Sequence, residues 1–164
     1  MGGQIHTPNF EGIMFRPTIT KDVMEFAPNV REQDQREVQS IAGLSVLEAL
    51  SIGLFHSSDC VTGIGKSGEI VMIAGVVPAQ GRGSVWMLTS SEIKSNKREL
   101  LEEGREWLKE MHTKHGDLTN VVDARNTLHQ RLIRHMGFEM QEQINNYGVE
   151  QVPVIPFKRK QKHV

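Results

Sequence analysis

The sequence predicts a single α/β domain in which a sheet of about six or seven strands is flanked by helices. The length of 164 residues suits one domain. A composition of 38% hydrophobic and 24% charged residues is typical of a globular protein with its own core. Segments rich in Val, Ile, Trp and Met alternate with segments whose apolar residues recur at helical spacing, so strands and helices follow one another.

The first part of the predicted domain is one strand followed by three helices. Ile13–Phe15 is typical of a short strand, and the helix after it ends at Pro28. Two pairs with capping-box spacing predict the next two helix starts: Asn29 with Glu32, and Ser45 with Glu48. The first of these helices has an incomplete apolar stripe: Val30, Asp34, Val38, Ile41 and Ala42.

Three strands follow the helices. The segments rich in β-forming residues are Cys60–Ile64, Glu69–Val77 and Ser84–Thr89. Gly65–Gly68 and Pro78–Gly83 have the composition of hairpin turns. The run Ile70–Ala74 is apolar on both faces, which predicts that its strand is central in the sheet.

The last part of the domain contains the longest helix, a short helix and three strands. Asn96 with Glu99 can cap the long helix, which runs to His115 and stops at Gly116. The short helix starts at Asn126 or Thr127 and ends at Gly137. The predicted strands are Leu118–Ala124, Phe138–Ile144 and Gln151–Phe157, with a turn over Asn145–Gly148 between the last two.

The domain is predicted to cover residues 13–157, between a flexible leader of residues 1–12 and a basic tail of residues 158–164. The tail contains only basic charges: Lys158, Arg159, Lys160 and Lys162. Such a tail either contacts nucleic acid or an acidic partner, or is simply a solvated end. The single Cys60 excludes an intrachain disulfide and suits a reducing compartment. No stretch is long and apolar enough to insert into a membrane.

Two local motifs, together with the order of elements, resemble the GNAT acyltransferases. Within Ile13–Thr18, the predicted strand ends in Arg16-Pro17, and Asp22 follows in the next helix. The opening strand and helix of that family have the same pattern. Asp123–Asn126 is followed by Gly137-Phe138, and Asn126 lies eleven residues before the glycine, as the family's asparagine does. The resemblance implies the GNAT fold with a mixed, mostly antiparallel sheet, and it makes acetyl-CoA a possible cofactor that an assembly role would not require. No metal is expected.

A narrower resemblance is to the GNAT-like internal virion or assembly proteins of short-tailed bacteriophages (podoviruses). It is carried by three segments: Asp59–Thr62, Gly83–Leu88 and Val122–His129. This resemblance implies a role in assembling the virion or its internal core, with other virion proteins as partners. It places the protein in the host cytoplasm or in the phage particle.

The cofactor contacts that the GNAT resemblance implies lie where the third strand meets the long helix. In the family, a glycine-containing loop there presents backbone N–H groups to the pyrophosphate of acyl-CoA. Here Ser90–Lys97 contains no glycine, and Glu92 would repel phosphate. The residues at matching positions are Leu88, Thr89, Ser90, Lys97, Arg98 and Asn126. The more glycine-rich Gln80–Gly83 precedes the strand and is interpreted as a hairpin turn.

The catalytic residues are less clearly marked than the fold. The position at which the family has a tyrosine acid, seven residues after the asparagine, is Ile133, which can donate no proton. His129 is either a base or a polar histidine on the helix surface, and Asn126 is either a helix cap or a ligand contact. We expect an assembly protein with a degenerate or weakly active acyl-CoA site. The alternative is an acetyl-CoA-dependent N-acyltransferase that modifies a protein or a small amine.

Overall fold

The computed structural model describes residues 12–162, which form one eight-stranded sheet with five α-helices. The strands are β1 Met14–Pro17, β2 Asp59–Ile64, β3 Ile70–Ala79, β4 Arg82–Thr89, β5 Asp117–Asp123, β6 Glu139–Met140, β7 Ile144–Tyr147 and β8 Val152–Arg159. The helices are α1 Thr20–Phe26, α2 Glu32–Ala42, α3 Val46–His56, α4 Lys97–His115 and α5 Thr127–His135. Two 3-10 turns, Ala27–Asn29 and Ser91–Ser95, precede α2 and α4.

The sheet is mixed and mostly antiparallel, which confirms the predicted fold class. Its strand order is β1-β2-β3-β4-β5-β8-β6, and β7 pairs with the other half of β8. The pairing of β4 with β5 is parallel, and the other pairings are antiparallel. β3 lies between β2 and β4, and Val71–Val76 is buried within it. The apolar run of β3 therefore packs on both faces, as the sequence indicates.

The segment between α5 and β8 differs from the prediction. Instead of one strand over Phe138–Ile144, two short strands, β6 and β7, pair with opposite ends of β8. The residues predicted as a turn, Asn145–Tyr147, lie in β7, and the turn follows at Gly148. Gly148 has φ +74, and a Cβ there would lie 2.7 Å from the Ile41 backbone. Close packing against the end of α2 therefore sets the position of this turn.

The predicted boundary of the basic tail at residue 158 is wrong, because β8 continues to Arg159. Lys158 Nζ lies 3.3 Å from Asp117 Oδ2, and the Gln161 backbone N–H donates to Asp117 Oδ1 at 2.9 Å. Antiparallel pairing with β5 extends to the end of β8, so Lys158 and Arg159 are structural. The predicted leader falls almost wholly on residues 1–11, which lie outside the described residues, as do residues 163 and 164.

The helix starts follow capping chemistry, with two differences from the prediction. Ser45 and Glu48 form the reciprocal capping box expected at α3. Asn29 lies in the 3-10 turn and α2 begins only after Arg31, so the predicted pair of Asn29 with Glu32 does not cap it. Asn96 precedes α4 as predicted, but its side chain donates to the Glu92 carbonyl instead of capping the helix.

Two apolar clusters lie on opposite faces of the sheet. The larger one packs α4 and α5 on the sheet and includes Leu108 and Phe157; the smaller one packs α1 and α3 and includes Phe26 and Leu50. Successive residues of a strand point to opposite faces, so β4 supplies both clusters. Its residues Val85 and Met87 join the larger cluster, whereas Trp86 and Leu88 join the smaller one.

The parallel strands β4 and β5 diverge along their length. They pair only over Arg82–Ser84 and the first residues of β5, Asp117–Thr119. The Asn120 side chain donates to the carbonyl of Val85 where the pairing stops. From that point the two strands continue unpaired with each other to Thr89 and Asp123. The sheet therefore contains a wedge-shaped gap between its two central parallel strands, open at their carboxyl ends.

No single helix within residues 12–162 is long and apolar enough to cross a membrane, although α2 and α3, which meet at 72°, satisfy the length and composition criteria as a bent pair.

Packing of α4 on the sheet predicts a large cost for truncating its inner face. Leu108 is 3% exposed in the larger cluster. We expect Leu108→Ala to lower the free energy of unfolding by about 2–5 kcal/mol, because it removes buried methyl groups and leaves a cavity. The neighbouring Lys109→Ala, on the exposed face of α4, should change it by less than about 0.5 kcal/mol. Denaturant unfolding measures both, and equal effects would contradict this orientation of α4.

Candidate active site

The gap between β4 and β5 opens into a cavity of about 310 Å³. The cavity extends to both faces of the sheet, because residues of α2 border it on one side and residues of α4 and α5 on the other. Its walls are mainly apolar, and they include Val38, Ile41, Val85, Trp86, Met87, Leu88, Leu100, Trp107, Leu108, Ile133, Met136, Phe138 and Phe157. Clefts of a few hundred Å³ with apolar walls and few polar groups are typical ligand sites.

A buried polar cluster lies where β4 and β5 end. Asp34 comes from α2, Thr89 is the last residue of β4, and Asn126 and His129 come from the start of α5. Their exposed fractions are 0%, 0%, 2% and 4%, respectively. Polar groups are buried only when they are hydrogen-bonded, so this cluster must satisfy its members internally.

One oxygen of Asp34 holds His129 in a defined orientation. Asp34 Oδ2 lies 3.1 Å from His129 Nε2 and accepts the Thr89 hydroxyl at 2.7 Å. His129 Nε2 also lies 3.0 Å from Thr89 Oγ1. Because the carboxylate can only accept, His129 carries its proton on Nε2. Nδ1 of the ring then has a free lone pair, no described residue within 12–162 hydrogen-bonds to it, and the ring borders the cavity.

The second oxygen of Asp34 binds two further donors. Arg31 Nη1 donates to Oδ1 at 2.9 Å and Asn126 Nδ2 donates to it at 3.0 Å. Burial raises the pKa of Asp34, but hydrogen bonds from His129 and Thr89 and the charge of His129 outweigh that effect and hold the pKa below its ordinary value. Asp34 is therefore a buried carboxylate that stays ionised through its donors.

The pKa of Glu37, one turn further along α2, is shifted in the opposite direction. Burial raises its pKa, although the Asp123 backbone N–H and the Asn126 amide both donate to it. The pKa values of the two carboxyl groups are thus shifted in opposite directions because their environments differ. Asn126 bridges them, since its amide reaches Asp34 Oδ1 at 3.0 Å and Glu37 Oε2 at 3.2 Å.

Metal-ligand atoms converge at the same place. Ligand atoms of Asp34, Glu37 and His129 all lie within 4.8 Å of one another. Both oxygens of Asp34 are already hydrogen-bonded, however, and Arg31 supplies a positive charge at 2.9 Å. A divalent cation would have to displace these donors and lie beside a guanidinium, so the donor set does not fit a metal.

The chain itself occupies the open edge of β4 at its last residue. The Thr89 N–H donates to Asp34 Oδ2 and the Thr89 carbonyl accepts the Arg31 N–H, both at 2.8 Å. Val30 forms an antiparallel bridge with Ser90 beside them. Strand alternation directs the N–H and C=O of Met87 to the same edge, and β5 does not pair with Met87. The backbone N–H and C=O of Met87 therefore remain available to a ligand in the gap.

The connection from β4 to α4 uses several of its own N–H groups as donors. The N–H of Glu92 donates to Ser90 Oγ, that of Ile93 to the Ser90 carbonyl, and that of Asn96 to the Ile93 carbonyl. These donors are used within the 3-10 turn, and no glycine allows close approach of a phosphate. Ile93 is fully buried, which anchors the turn in the core. The N–H groups of Glu92, Ile93 and Asn96 are therefore not free to bind a diphosphate.

The predicted site residues fall into two groups in the structure. Asn126, His129 and Thr89 lie together in the polar cluster, Ser90 adjoins it, and Leu88 borders the cavity. Lys97 and Arg98 are exposed on the first turn of α4, and Arg98 pairs with Glu102 at 3.2 Å, so neither belongs to the cluster.

Two of the interpretations from sequence are corrected. His129 is not a surface histidine, because it is 4% exposed and bonded to Asp34. Asn126 occupies the cap position of α5 but makes no side-chain cap bond, since its amide bonds to α2 instead.

Sequence reasoning missed the contribution of α2 to the site. Asp34 and Glu37 reach the cluster from this helix, and Arg31 reaches it from the N-cap position just before the helix. The available signal is Asp34 itself, a charged residue at an inward position of an apolar helical stripe. A charge at such a position is rarely left unpaired, so it indicates buried partners on another element.

Comparisons with known proteins agree with this architecture. No protein-family model matches the chain, and no curated protein does. Among solved structures, a GNAT acetyltransferase from Bacillus anthracis is 11% identical with a TM-score of 0.71, and 93% of this chain and 97% of that chain are covered. A GNAT acetyltransferase from Streptococcus pneumoniae is 17% identical, with a TM-score of 0.65 and coverage of 92% and 99%. Spermidine N-acetyltransferase from Vibrio cholerae, in complex with CoA and spermine, is 12% identical, with a TM-score of 0.67 and coverage of 91% and 95%.

The chain thus has the fold of the GNAT acetyltransferases. The narrower resemblance to podovirus assembly proteins gains no support, because the three structures above are bacterial acetyltransferases. The role in virion assembly, the virion partners, nucleic-acid binding through Lys158, Arg159, Lys160 and Lys162, and the location in host or particle remain predictions.

Removing the charge of Asp34 should strongly destabilise the fold. Asp34→Asn leaves Arg31 and His129 without a buried anion, so we expect a loss of about 3–5 kcal/mol in unfolding free energy. The control Glu32→Gln changes an exposed ion pair on the same helix, and it should cost less than about 1 kcal/mol.

The destabilisation by Asp34→Asn should be full at neutral pH and should decrease in acid. The pKa of Asp34 lies below its ordinary value of 3.8, so its ionised form stabilises the folded state. That stabilisation is complete above the ordinary pKa and is lost as the pH falls through the lowered one. Unfolding curves at neutral and acidic pH should therefore show the wild type and Asp34→Asn converging in acid, and a constant difference would contradict the pKa assignment.

Proposed function

We propose that this protein is an N-acyltransferase that transfers an acyl group from a thioester donor of the acyl-CoA class to an amine. The observation that carries the proposal is the geometry of His129. Its Nε2 bonds to the buried carboxylate of Asp34, and its unpartnered Nδ1 lies on a ring that borders the cavity. A base oriented by a carboxylate beside an open cleft is the arrangement that acyl transfer to an amine requires.

His129 would act as the general base for the acceptor. An amine can attack a thioester only after it has lost a proton, and Nδ1 can accept that proton. Asp34 then stabilises the resulting imidazolium, because its carboxylate accepts the hydrogen bond of Nε2–H, as it already does in the neutral ring. Proton transfer by such a positioned base typically contributes about 10²–10⁴-fold to the rate.

The residues around the gap would hold the thioester arm. Val85 and Met87 on one face of β4, and Trp86 and Leu88 on the other, provide apolar walls. The free N–H of Met87 would donate to the thioester carbonyl and stabilise the negative charge that develops on its oxygen. When bound, the donor supplies the activated acyl group, and the chain's own residues orient it and exclude water.

The tyrosine acid of the family has no counterpart at its position in this chain. Ile133 lies at the position of the family's tyrosine, and Tyr147 is exposed in β7 and does not line the cavity. A thiolate is a moderately good leaving group at neutral pH because the thiol pKa is about 8.5. Transfer without this acid is therefore feasible but slower than in an enzyme that has one.

The proposal predicts that replacing His129 removes activity without removing the fold. Thiol release from acetyl-CoA and from longer acyl-CoAs would be measured against a panel of primary amines and polyamines. We expect His129→Gln to lower kcat/KM by about 10²–10⁴-fold. The matched control is His135→Gln on the exposed end of the same helix, which should leave the rate unchanged. Full activity in a folded His129→Gln variant would contradict the assignment of the base.

A further inference from the structure

Glu37 is a carboxyl group at the border of the gap that has no cationic partner. In the part of the chain that the structure describes, Glu37 forms no ion pair. The neighbouring carboxylates are paired, Asp34 with Arg31 and Asp123 with Arg125. Charged groups away from water are normally paired. A half-buried carboxyl group without a counter-charge beside an open space therefore points to a positively charged ligand.

The Glu37 side chain can accept further hydrogen bonds. One of its oxygens accepts the Asp123 N–H and the other accepts the Asn126 amide, so each oxygen has one donor. A carboxylate oxygen can accept about two hydrogen bonds. Each oxygen of Asp34, in contrast, already has at least two donors. An ammonium group bound to Glu37 would therefore displace no donor of Asp34, unlike a metal ion that uses both carboxylates.

The position of Glu37 relative to the proposed base suits an amine. An oxygen of Glu37, an oxygen of Asp34 and a ring nitrogen of His129 lie within 4.8 Å of one another. Charge-assisted hydrogen bonds from nitrogen to a carboxylate are about 2.8 Å long. An ammonium nitrogen held by Glu37 would therefore lie next to the His129 ring. Burial raises the pKa of Glu37, and contact with a cation favours its ionised form.

The surroundings of Glu37 limit what the ammonium group can carry. Val38 and Ile41 of α2 line the same part of the cavity, and Val38 and Trp86 both pack on the smaller apolar cluster. Among the described residues that line the cavity, Glu37 is the only acidic one. A further ammonium group of a polyamine would be buried there without a counter-charge, which is costly. An apolar substituent fits these walls instead.

We infer that Glu37 binds the ammonium group of the acceptor and that the acceptor is a primary monoamine with an apolar substituent, such as an arylalkylamine. The amine would lie on the α2 side of the sheet, on the face opposite α4 and α5. The assignment of this amine as the acceptor rests on the proposed function. Its binding rests on the unpaired Glu37 and the apolar side chains beside it.

The first test is a calorimetric titration of the protein with three compounds in the absence of any acyl donor. Phenethylamine has one ammonium group and an apolar ring, phenethyl alcohol is its uncharged counterpart, and spermidine has several ammonium groups. We expect saturable binding of phenethylamine and about 10–100-fold weaker binding of the alcohol, because the alcohol makes no charge-assisted hydrogen bond. Spermidine should also bind more weakly than phenethylamine. Equal affinities for the amine and the alcohol, or a preference for spermidine, would overturn the inference.

The second test is the substitution Glu37→Gln, which removes the charge and keeps an oxygen that can accept a hydrogen bond. It should weaken phenethylamine binding by about 10–100-fold and leave the affinity for phenethyl alcohol unchanged. The matched control Glu32→Gln, on the exposed face of the same helix, should change neither affinity. A thermal melt shows whether Glu37→Gln is folded, and unchanged amine binding in the folded variant would contradict the role of Glu37. If the variant does not fold, the comparison of amine and alcohol in the wild type still decides.

The two proposals fail in different ways. Phenethylamine binding that depends on Glu37, without acyl transfer to any amine, would leave the ammonium site standing and refute the acyltransferase. Acyl transfer that depends on His129, with no discrimination against spermidine and no change in KM for the amine in Glu37→Gln, would support the acyltransferase and refute the ammonium site.

Discussion

The carboxylate of Asp34 connects the three parts of the molecule that form the site. It accepts hydrogen bonds from Thr89 at the end of β4, from Asn126 and His129 at the start of α5, and from Arg31 just before its own helix. A buried anion is expensive unless its oxygens are fully satisfied, and here each oxygen has at least two donors. The hydrogen bonds that satisfy Asp34 therefore also hold α2 in its position over the gap.

The divergence of β4 and β5 creates the space that Asp34 borders. Parallel strands normally stay paired, and leaving them unpaired exposes N–H and C=O groups that need partners. The chain satisfies Thr89 with Arg31 and Asp34, and Val85 with the Asn120 side chain. Met87 lies between these two positions, so the open edge of β4 is confined to Met87, which borders the cavity. Along β4, the backbone groups of Val85 and Thr89 thus have partners within the chain, whereas those of Met87 remain open to a ligand.

The same fold combines features that favour and oppose acyl-CoA chemistry. The base, the open gap and the apolar walls suit a thioester arm, whereas the 3-10 turn after β4 uses its own N–H groups and buries Ile93. Under the proposed function, affinity for a donor would come more from its thioester arm than from contacts of this turn with its diphosphate.

The sequence by itself determined the fold class, the central position of β3 and most of the elements, because these depend on local periodicity, capping and turn residues. It also indicated Asn126 and His129 through a motif whose spacing is local. It did not determine the splitting of Phe138–Ile144, which depends on pairing with both ends of β8, or the structural role of Lys158. The partners of Asp34 are separated from it by 55 residues at Thr89 and 92 residues at Asn126. Contacts at such separations arise only when the sheet brings α2, β4 and α5 together, so only the tertiary structure decided the site.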